Sequence, residues 1–355
     1  MTNSDEIWIL GATGRTGRAI TKCLADQGMN LVLVGRDEAR LRAIGIDARF
    51  VTADGIPSIA AEIARQRPAV VVNTIGEYAA TATTMARAGM PGTHYVDLAA
   101  DLVAVPRLLA LHEEAAAAGS ALVTGAGFGV LATEAVVVAL CAGRPVPRSV
   151  RVDALASVAI EAGTLGTALA ASVVDALSVG GRQYANGQLT TARIGGEAHA
   201  IALPDGETVT SMNTPSGELI AAYNASNAPF VVATTSFGSI SPAMRAVLPV
   251  LRALVSIPAM RRFAIARMAR MPVKAAPRPR QHSWGHAIVE WPDGTSREGW
   301  LRAGEGMDYT AEVVAAVAAR LARGEGKPGA YTPAALFGAD LATVGGATLT
   351  VDPTR

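Results

Sequence analysis

The sequence predicts an α/β chain that opens with a doubly wound parallel sheet and passes, after about residue 145, into a second region of helices, strands and turns. Three observations predict it. Short β-rich runs alternate with helical segments through the first third. A glycine-spaced turn joins the first strand to the first helix. After about residue 145 the texture changes, and a long helical segment is followed by Gly-, Thr-, Ser- and Asn-rich sequence. Apolar strands separated by helices mark βαβ units, whose sheet is covered on both faces. Right-handed crossovers wind such units into one sheet.

Taken in order, the runs at 7–10, 31–34, 48–52, 70–74, 94–98 and 121–124 read as strands. Between them, segments 16–27, 37–44, 56–66, 79–88 and 106–118 have the Ala, Arg and Leu content and spacing of helices. Segment 161–179 predicts a long helix, and 182–236 predicts the strands and turns of an antiparallel sheet. Segment 241–271 is helical, with Pro249 and Pro258 as kinks or breaks. The basic, proline-rich 273–280 is a loop. Residues 287–291 and 295–301 make a hairpin about Pro292-Asp293-Gly294, and 309–323 is a helix ending before Gly324.

Composition sets outer limits. The chain has 355 residues, half of them hydrophobic, which is material for two domains. A net charge of +1 gives no reason to expect nucleic acid. Cys23 and Cys141 make neither a disulfide framework nor zinc spacing. The start is polar and acidic, unlike a secretory signal. Asp153, Glu161 and Asp175 interrupt the most apolar stretch, so no membrane span is expected. The expectation is a soluble, cytoplasmic protein.

The first strand runs directly into Gly11-Ala12-Thr13-Gly14-Arg15-Thr16-Gly17, and a helix follows. This is the context a dinucleotide-binding turn requires. Gly11 permits the tight turn, Gly14 lets the backbone approach a pyrophosphate, and Gly17 lets helix and strand pack closely. The first helical N–H groups, near Arg15 and Thr16, face the phosphates, and the helix dipole favours their charge. The second strand ends Gly35-Arg36-Asp37. Arg36 is suited to pair with a 2′-phosphate and to stack on adenine, which points to NADP(H). Asp37 keeps NAD open, or caps the next helix. Ligands sit at the carboxyl ends of parallel strands, so Thr74, Ile75 and Gly76 after the fourth strand and Gly125 after the sixth are expected beside the cofactor. Two roles are open to Asp54: a bond to the adenine amino group, or a helix N-cap. This places a Rossmann-type dinucleotide-binding domain at the start of the chain.

Several chemistries are excluded. None of the six tyrosines has a lysine four residues on, so the Tyr-x-x-x-Lys device of short-chain reductases is missing. There is no Gly-x-Ser-x-Gly elbow. His282 and His286 have the spacing of two ligands on a helix, but their segment reads as a strand, so no metal is expected.

The segments Asn73-Thr-Ile-Gly-Glu-Tyr78, Met85-Ala-Arg-Ala-Gly89 and Gly92-Thr-His-Tyr-Val-Asp-Leu98 together resemble the saccharopine dehydrogenase-like reductases. Ala121-Leu-Val-Thr-Gly-Ala-Gly-Phe128 is similar to that family's sixth strand and glycine loop. Glu161-Ala-Gly-Thr-Leu-Gly-Thr167 is similar to the helix start of its substrate domain. The layout of the second half is most similar to the bacterial trans-acting enoyl reductase branch. The resemblance implies a Rossmann domain at 1–145 plus 302–355, an inserted α+β substrate or dimerisation domain at 146–301, a C-terminal segment returning to the first domain, and nicotinamide-dependent hydride transfer. Relatives reduce C=N or C=C bonds.

Hydride transfer to a double bond needs a proton donor. Tyr78, in the loop expected beside the nicotinamide, and Asp97, at the carboxyl end of the fifth strand, are the candidate catalytic residues. Their alternatives are aromatic packing and loop capping. Glu161, Thr164 and Thr167 are expected at a helix start facing the cleft, or as caps. The stretch 244–271 sets six arginines among apolar residues, as a solvated face, a dimer interface, or a surface for a membrane or acyl carrier. Trp284, Trp291 and Trp300 gather about the hairpin as core or as substrate cover. The expected function is an NADP(H)-dependent oxidoreductase that reduces a C=N or C=C bond of a small or acyl substrate, in a homodimer. The alternatives are a non-catalytic NADP(H)-binding regulator and a membrane-associated scaffold.

Overall fold

Ile7-Trp8-Ile9-Leu10 is wholly buried, as an apolar strand covered on both faces must be. The computed structural model describes residues 5–236 and 242–351. The chain opens with β1 (Ile7–Leu10), α1 (Arg15–Ala25), β2 (Leu31–Gly35), α2 (Glu38–Arg42), β3 (Arg49–Thr52) and α3 (Gly55–Gln66). It continues with β4 (Val70–Asn73), α4 (Tyr78–Gly89), β5 (His94–Asp97), α5 (Ala104–Leu109), α6 (His112–Ala117) and β6 (Ala121–Val123). Then come α7 (Phe128–Cys141), β7 (Ser149–Leu155), β8 (Gly163–Thr164), α8 (Thr167–Val179), β9 (Arg182–Ala185) and β10 (Gln188–Thr191). β11 (His199–Ala202), β12 (Thr208–Asn213), α9 (Glu218–Ser226), β13 (Phe230–Thr235), α10 (Pro242–Val255) and α11 (Pro258–Ala269) follow. The last elements are β14 (Pro272–Val273), β15 (Ser283–Glu290), β16 (Ser296–Ala303), α12 (Gly306–Ala322), β17 (Gly329–Tyr331), α13 (Pro333–Phe337) and β18 (Thr348–Val351).

The chain forms two units, residues 1–127 with 307–345 and residues 128–306 with 346–355. The first holds a seven-stranded sheet in the order β17-β6-β5-β4-β1-β2-β3, parallel throughout. This is a Rossmann-type doubly wound sheet. Strand order reverses between β1 and β4, the switch point at which such sheets place a ligand. Its core joins Trp8, Leu10, Val32, Ile63, Val71 and Met85. The segment expected as one helix at 106–118 is two, α5 and α6. Asp101 Oδ1 accepts the N–H groups of Val103 and Ala104 and so starts α5 early. The chain then turns at Leu111, whose ψ of 8° is not helical.

The second unit is built on a mixed nine-stranded sheet. Its path runs β10-β9-β13-β7-β15-β16-β18, with β12 beside β13 and β11 beside β12. α7 packs on one face because glycines let it close in. A Cβ on Gly285 would stand 2.7 Å from the Ala132 Cβ, and one on Gly299 would stand 2.9 Å from Val136. α7 is buried nearly all round, and for that reason the boundary falls at 127/128 and not at the expected 145/146. The first unit resumes at residue 307. β18, expected in the first domain, lies in the second unit, where it pairs with β16.

Two helix expectations are corrected. The helix placed at 161–179 begins only at Thr167, since Gly163 and Gly166 have φ of 154° and 81°, and Gly163-Thr164 pairs instead with Pro272-Val273. Segment 241–271 breaks before Pro258, while α10 continues through Pro249. Residue 241 lies outside the described residues. The hairpin forms about its Asp-Gly turn, with Asp293 Oδ1 accepting from both the N–H and the hydroxyl of Thr295.

One buried polar group interrupts the second sheet. His286 lies on a strand, not a helix. It sits between Asp153, 2.8 Å from its Nδ1, and Glu298, 3.1 Å from its Nε2, and it stacks on Trp300. Arg151 and His199 also face Asp153. Burial opposes charge on the imidazole, but the two carboxylates outweigh it and raise its pKa. The folded state therefore holds this proton more tightly than the unfolded chain does. The resulting stability is full below the ordinary histidine pKa and is lost as pH rises through the folded value. Urea melts at pH 6 and pH 8.5 are expected to show wild-type protein losing stability on alkalinisation, and His286→Gln losing less. Equal losses would refute this account.

Candidate functional site

The carboxyl edge of the parallel sheet in the first unit gathers most of the residues named from sequence. The glycine turn forms between β1 and α1. Gly11 has φ of 79°, its N–H donates to Val34 O at 3.0 Å, and its carbonyl accepts from Gly14 N at 2.9 Å. A Cβ on Gly17 would lie 2.4 Å from Gly11 O and 2.9 Å from Ala12 Cα, so only glycine fits there. Gly14 differs. It is exposed, and a Cβ there would meet only Gly11 O, at 3.3 Å. Gly14 is also the N-cap of α1, so no side chain caps this helix, and its first turn holds no acidic residue. The positive end of the helix dipole is uncompensated and faces open space, the condition for an anion. Arg15 and Thr16 are half-buried in that first turn, and the Thr13 carbonyl accepts from Arg18 at 2.5 Å.

Arg36, just beyond β2, is exposed and makes no hydrogen bond or ion pair among the described residues. Asp37 is an N-cap, accepting from Arg40 N at 3.2 Å. Gly35 admits Leu41, whose Cδ2 would stand 3.1 Å from a Cβ there. Asp54 occupies the N-cap position of α3 but makes no capping hydrogen bond, so its exposed carboxylate is not spent on the helix.

A chain of buried polar groups ties the loops after β4, β5 and β6 together. Asn73 Nδ2 donates to Thr81 at 3.3 Å and to the Tyr95 hydroxyl at 3.0 Å. Tyr95 donates to Asp97 Oδ2 at 3.0 Å. Asp97 Oδ1 accepts from Ala99 N, from the Thr124 hydroxyl at 2.8 Å and from Gly125 N. Asp97 is 0% exposed. Burial pushes its carboxyl up to about 6, and its four donors hold it from going further. Nearby, the Thr74 hydroxyl donates to Leu10 O at 2.7 Å and fills the space beside Gly11. Ile75 N donates to Asn73 Oδ1, and Gly76, at φ 83°, accepts from Thr81.

Tyr78 opens α4, half-buried against the core of the first unit. Burial raises its pKa first, and the charge of Asp97 adds to this, against the Leu98 backbone. Burial therefore favours the protonated phenol.

The structure thus sets Tyr78, Asp97, Thr74, Ile75, Gly76 and Gly125 around one sheet edge, with the glycine turn. Glu161, Thr164 and Thr167 belong to the second unit. The three tryptophans also separate. Trp284 and Trp300 pack edge to face with Leu155, Ile201 and Leu203, while Trp291 bonds to Pro145 O at the hairpin turn. Sequence reasoning missed Tyr95 and Thr124 as partners of Asp97, and Asn73 as the partner of Tyr95. The available signal was a polar residue closing an apolar strand, as in Val-Val-Val-Asn73 and Ala-Leu-Val-Thr124.

No protein-family model matches the chain, and no curated protein matches it. Among solved structures, it has the fold of saccharopine dehydrogenase (L-Glu forming) from Saccharomyces cerevisiae. That likeness covers 99% of each chain at a TM-score of 0.61 and 15% identity. A short-chain dehydrogenase from Sphingobium yanoikuyae in complex with NADPH matches over 34% of this chain and 70% of its own, with 18% identity and a TM-score of 0.28. A metagenomic short-chain oxidoreductase in complex with NADP matches over 34% of this chain and 81% of its own, with 20% identity and a TM-score of 0.29. No helix among the described residues is long and apolar enough to cross a membrane.

Proposed function

We propose that the protein is an NADP(H)-dependent oxidoreductase that reduces a C=N or C=C bond of a small or acyl substrate. The observation that carries this reading is the uncapped, acid-free N-terminus of α1 behind the Gly11–Gly17 turn, with the unpartnered Arg36 at the end of the next strand. These residues fit a dinucleotide. Gly14 and the first-turn N–H groups of Arg15 and Thr16 hold the pyrophosphate, and Thr13 shapes the turn. Arg36 holds the 2′-phosphate, and Asp54 accepts from the adenine amino group. The backbone of Thr74, Ile75, Gly76 and Gly125 lines the nicotinamide side. When bound, the cofactor supplies a hydride.

The protein supplies the rest. Tyr78 is the proton donor: its hydroxyl proton passes to the atom of the double bond that does not take the hydride, and the phenolate is reprotonated from solvent. Asp97, fully buried with all its donors from the protein, is a positioning residue that fixes the loops carrying Tyr78 and Gly125. The absence of Tyr-x-x-x-Lys removes the usual phenol-lysine acid from this site.

The test is cofactor titration followed by turnover. NADPH quenching of intrinsic fluorescence is expected to give a Kd that Arg36→Glu raises about 100-fold, while NADH affinity is unchanged or improved. An equal effect on both cofactors sinks the NADP assignment. Loss of NADPH absorbance with a panel of imines and enoyl esters supports the reductase. Tight cofactor binding with no turnover on any of them favours the regulator.

A further inference from the structure

Between Pro242 and Met271 the sequence has six arginines and no acidic residue. In the structure this segment also exposes large apolar side chains. Val247, Val250 and Leu254 on α10 are 46, 59 and 46% exposed, Ile257 at the elbow is 52%, and Met260 and Phe263 on α11 are 42 and 66%. Their spacing, three and four residues apart, puts each set on one side of its helix, and the series continues across the elbow. These residues are not the face that holds the helices to the unit. That face is separate: Val255 and Ile265 are buried against Ala170, Ala171 and Val174 of α8. An exposed apolar run of this size, additional to a satisfied core, marks an interaction surface.

The cations decide what meets it. Arg252 donates to Ser178 O, and Arg261 pairs with Asp175. Arg262, Arg267 and Arg270 are exposed and make no ion pair among the described residues. We propose that α10 and α11 dock on an anionic phospholipid surface, with Val250, Leu254, Ile257 and Phe263 entering the acyl boundary and the free arginines meeting the headgroups. Apolar residues flanked by arginines are the chemistry of an interfacial helix. The helices lie on the membrane; neither is long and apolar enough to span it. A second copy of the chain is disfavoured, because an isologous contact would set these arginines against their own kind with no carboxylate on the segment to answer them. The proposal is independent of the reductase reading.

The experiment is co-sedimentation of the full chain with vesicles of phosphatidylglycerol and phosphatidylcholine, or of phosphatidylcholine alone. Binding is expected only to the anionic vesicles, weakened about tenfold or more in 0.5 M salt. The Val250→Glu, Phe263→Glu double variant is expected to lose binding. Arg262, Arg267 and Arg270 changed together to Gln are expected to weaken it at low salt. Both variants alter exposed positions, and unchanged thermal melts would show them folded. No sedimentation with anionic vesicles overturns the proposal, as does equal binding to neutral ones. Light scattering that shows a dimer, broken by the Glu variant and blind to lipid, assigns the face to a second copy and also overturns it.

Discussion

Replacing Asp97 with alanine is expected to destabilise the first unit by about 4 kcal/mol, since buried donors left unpaired cost about 1–3 kcal/mol each and are only partly rescued by water. The donors stranded are the Thr124 and Tyr95 hydroxyls and the N–H groups of Ala99 and Gly125. Asp97→Asn separates the bonds from the charge, because its carbonyl still accepts the three donors on Oδ1. The folded carboxyl keeps its proton up to about pH 6, against an ordinary value of 3.8. Between these values the folded state binds more protons than the unfolded one, so stability rises as pH falls from 7 toward 4. The gap between the folded and ordinary values corresponds to at most about 3 kcal/mol. Urea melts across this range should show the rise in wild-type protein and its loss in Asp97→Asn, with Asp97→Ala the least stable throughout. A wild-type curve parallel to that of Asp97→Asn would mean that the buried carboxyl is not the titrating group.

The second large effect separates two glycines of the same turn. Gly17→Ala is expected to abolish measurable NADPH binding and to lower stability by about 2 kcal/mol. Every atom its methyl group would strike, Gly11 O at 2.4 Å, Ala12 Cα and Gly11 C, is backbone of the turn itself, so the turn must open. Gly14→Ala meets one atom at 3.3 Å and leaves the fold as it is. Its methyl group projects into the space reserved for the pyrophosphate, so NADPH affinity is expected to fall at least about tenfold with an unchanged melt. Fluorescence titration and thermal denaturation on both variants read the two quantities separately. If Gly14→Ala binds NADPH as the wild type does, the pyrophosphate does not lie on this turn.

How far the chain was legible depends on whether the deciding interactions were local. Four of the seven strands of the first sheet, β1, β2, β4 and β6, are nearly continuous apolar runs, and a run covered on both faces by helices carries the same pattern wherever it sits. Asp37 as a cap and the hairpin at Asp293-Gly294 were legible for the same reason, because a helix start or a two-strand turn is settled within a few residues. β17 was not legible: three residues make no pattern, and only pairing with β6 makes them a strand. α7 was missed because it is apolar all round, with no amphipathic period to read. The helix start at 161 failed because Gly163 and Gly166 take positive φ, a conformation that sequence allows but does not announce.

For the candidate site, the sequence by itself determined the turn, its flanking strand and helix, and the arginine at the end of β2. Each of these acts through backbone shape or charge within a short stretch of chain. Only the tertiary structure decided what surrounds Asp97. Read along the strand it was a carboxylate at the ligand end, available for chemistry. In the fold, β4, β5 and β6 lie side by side, and Asn73, Tyr95 and Thr124, up to 51 positions apart, enclose it. A carboxylate with no exposed surface and four protein donors ties together the loops that carry those donors. The same holds for the apolar side of α10 and α11. Its spacing is written in the sequence, but only packing against α8 shows which residues the core uses and which it leaves to solvent.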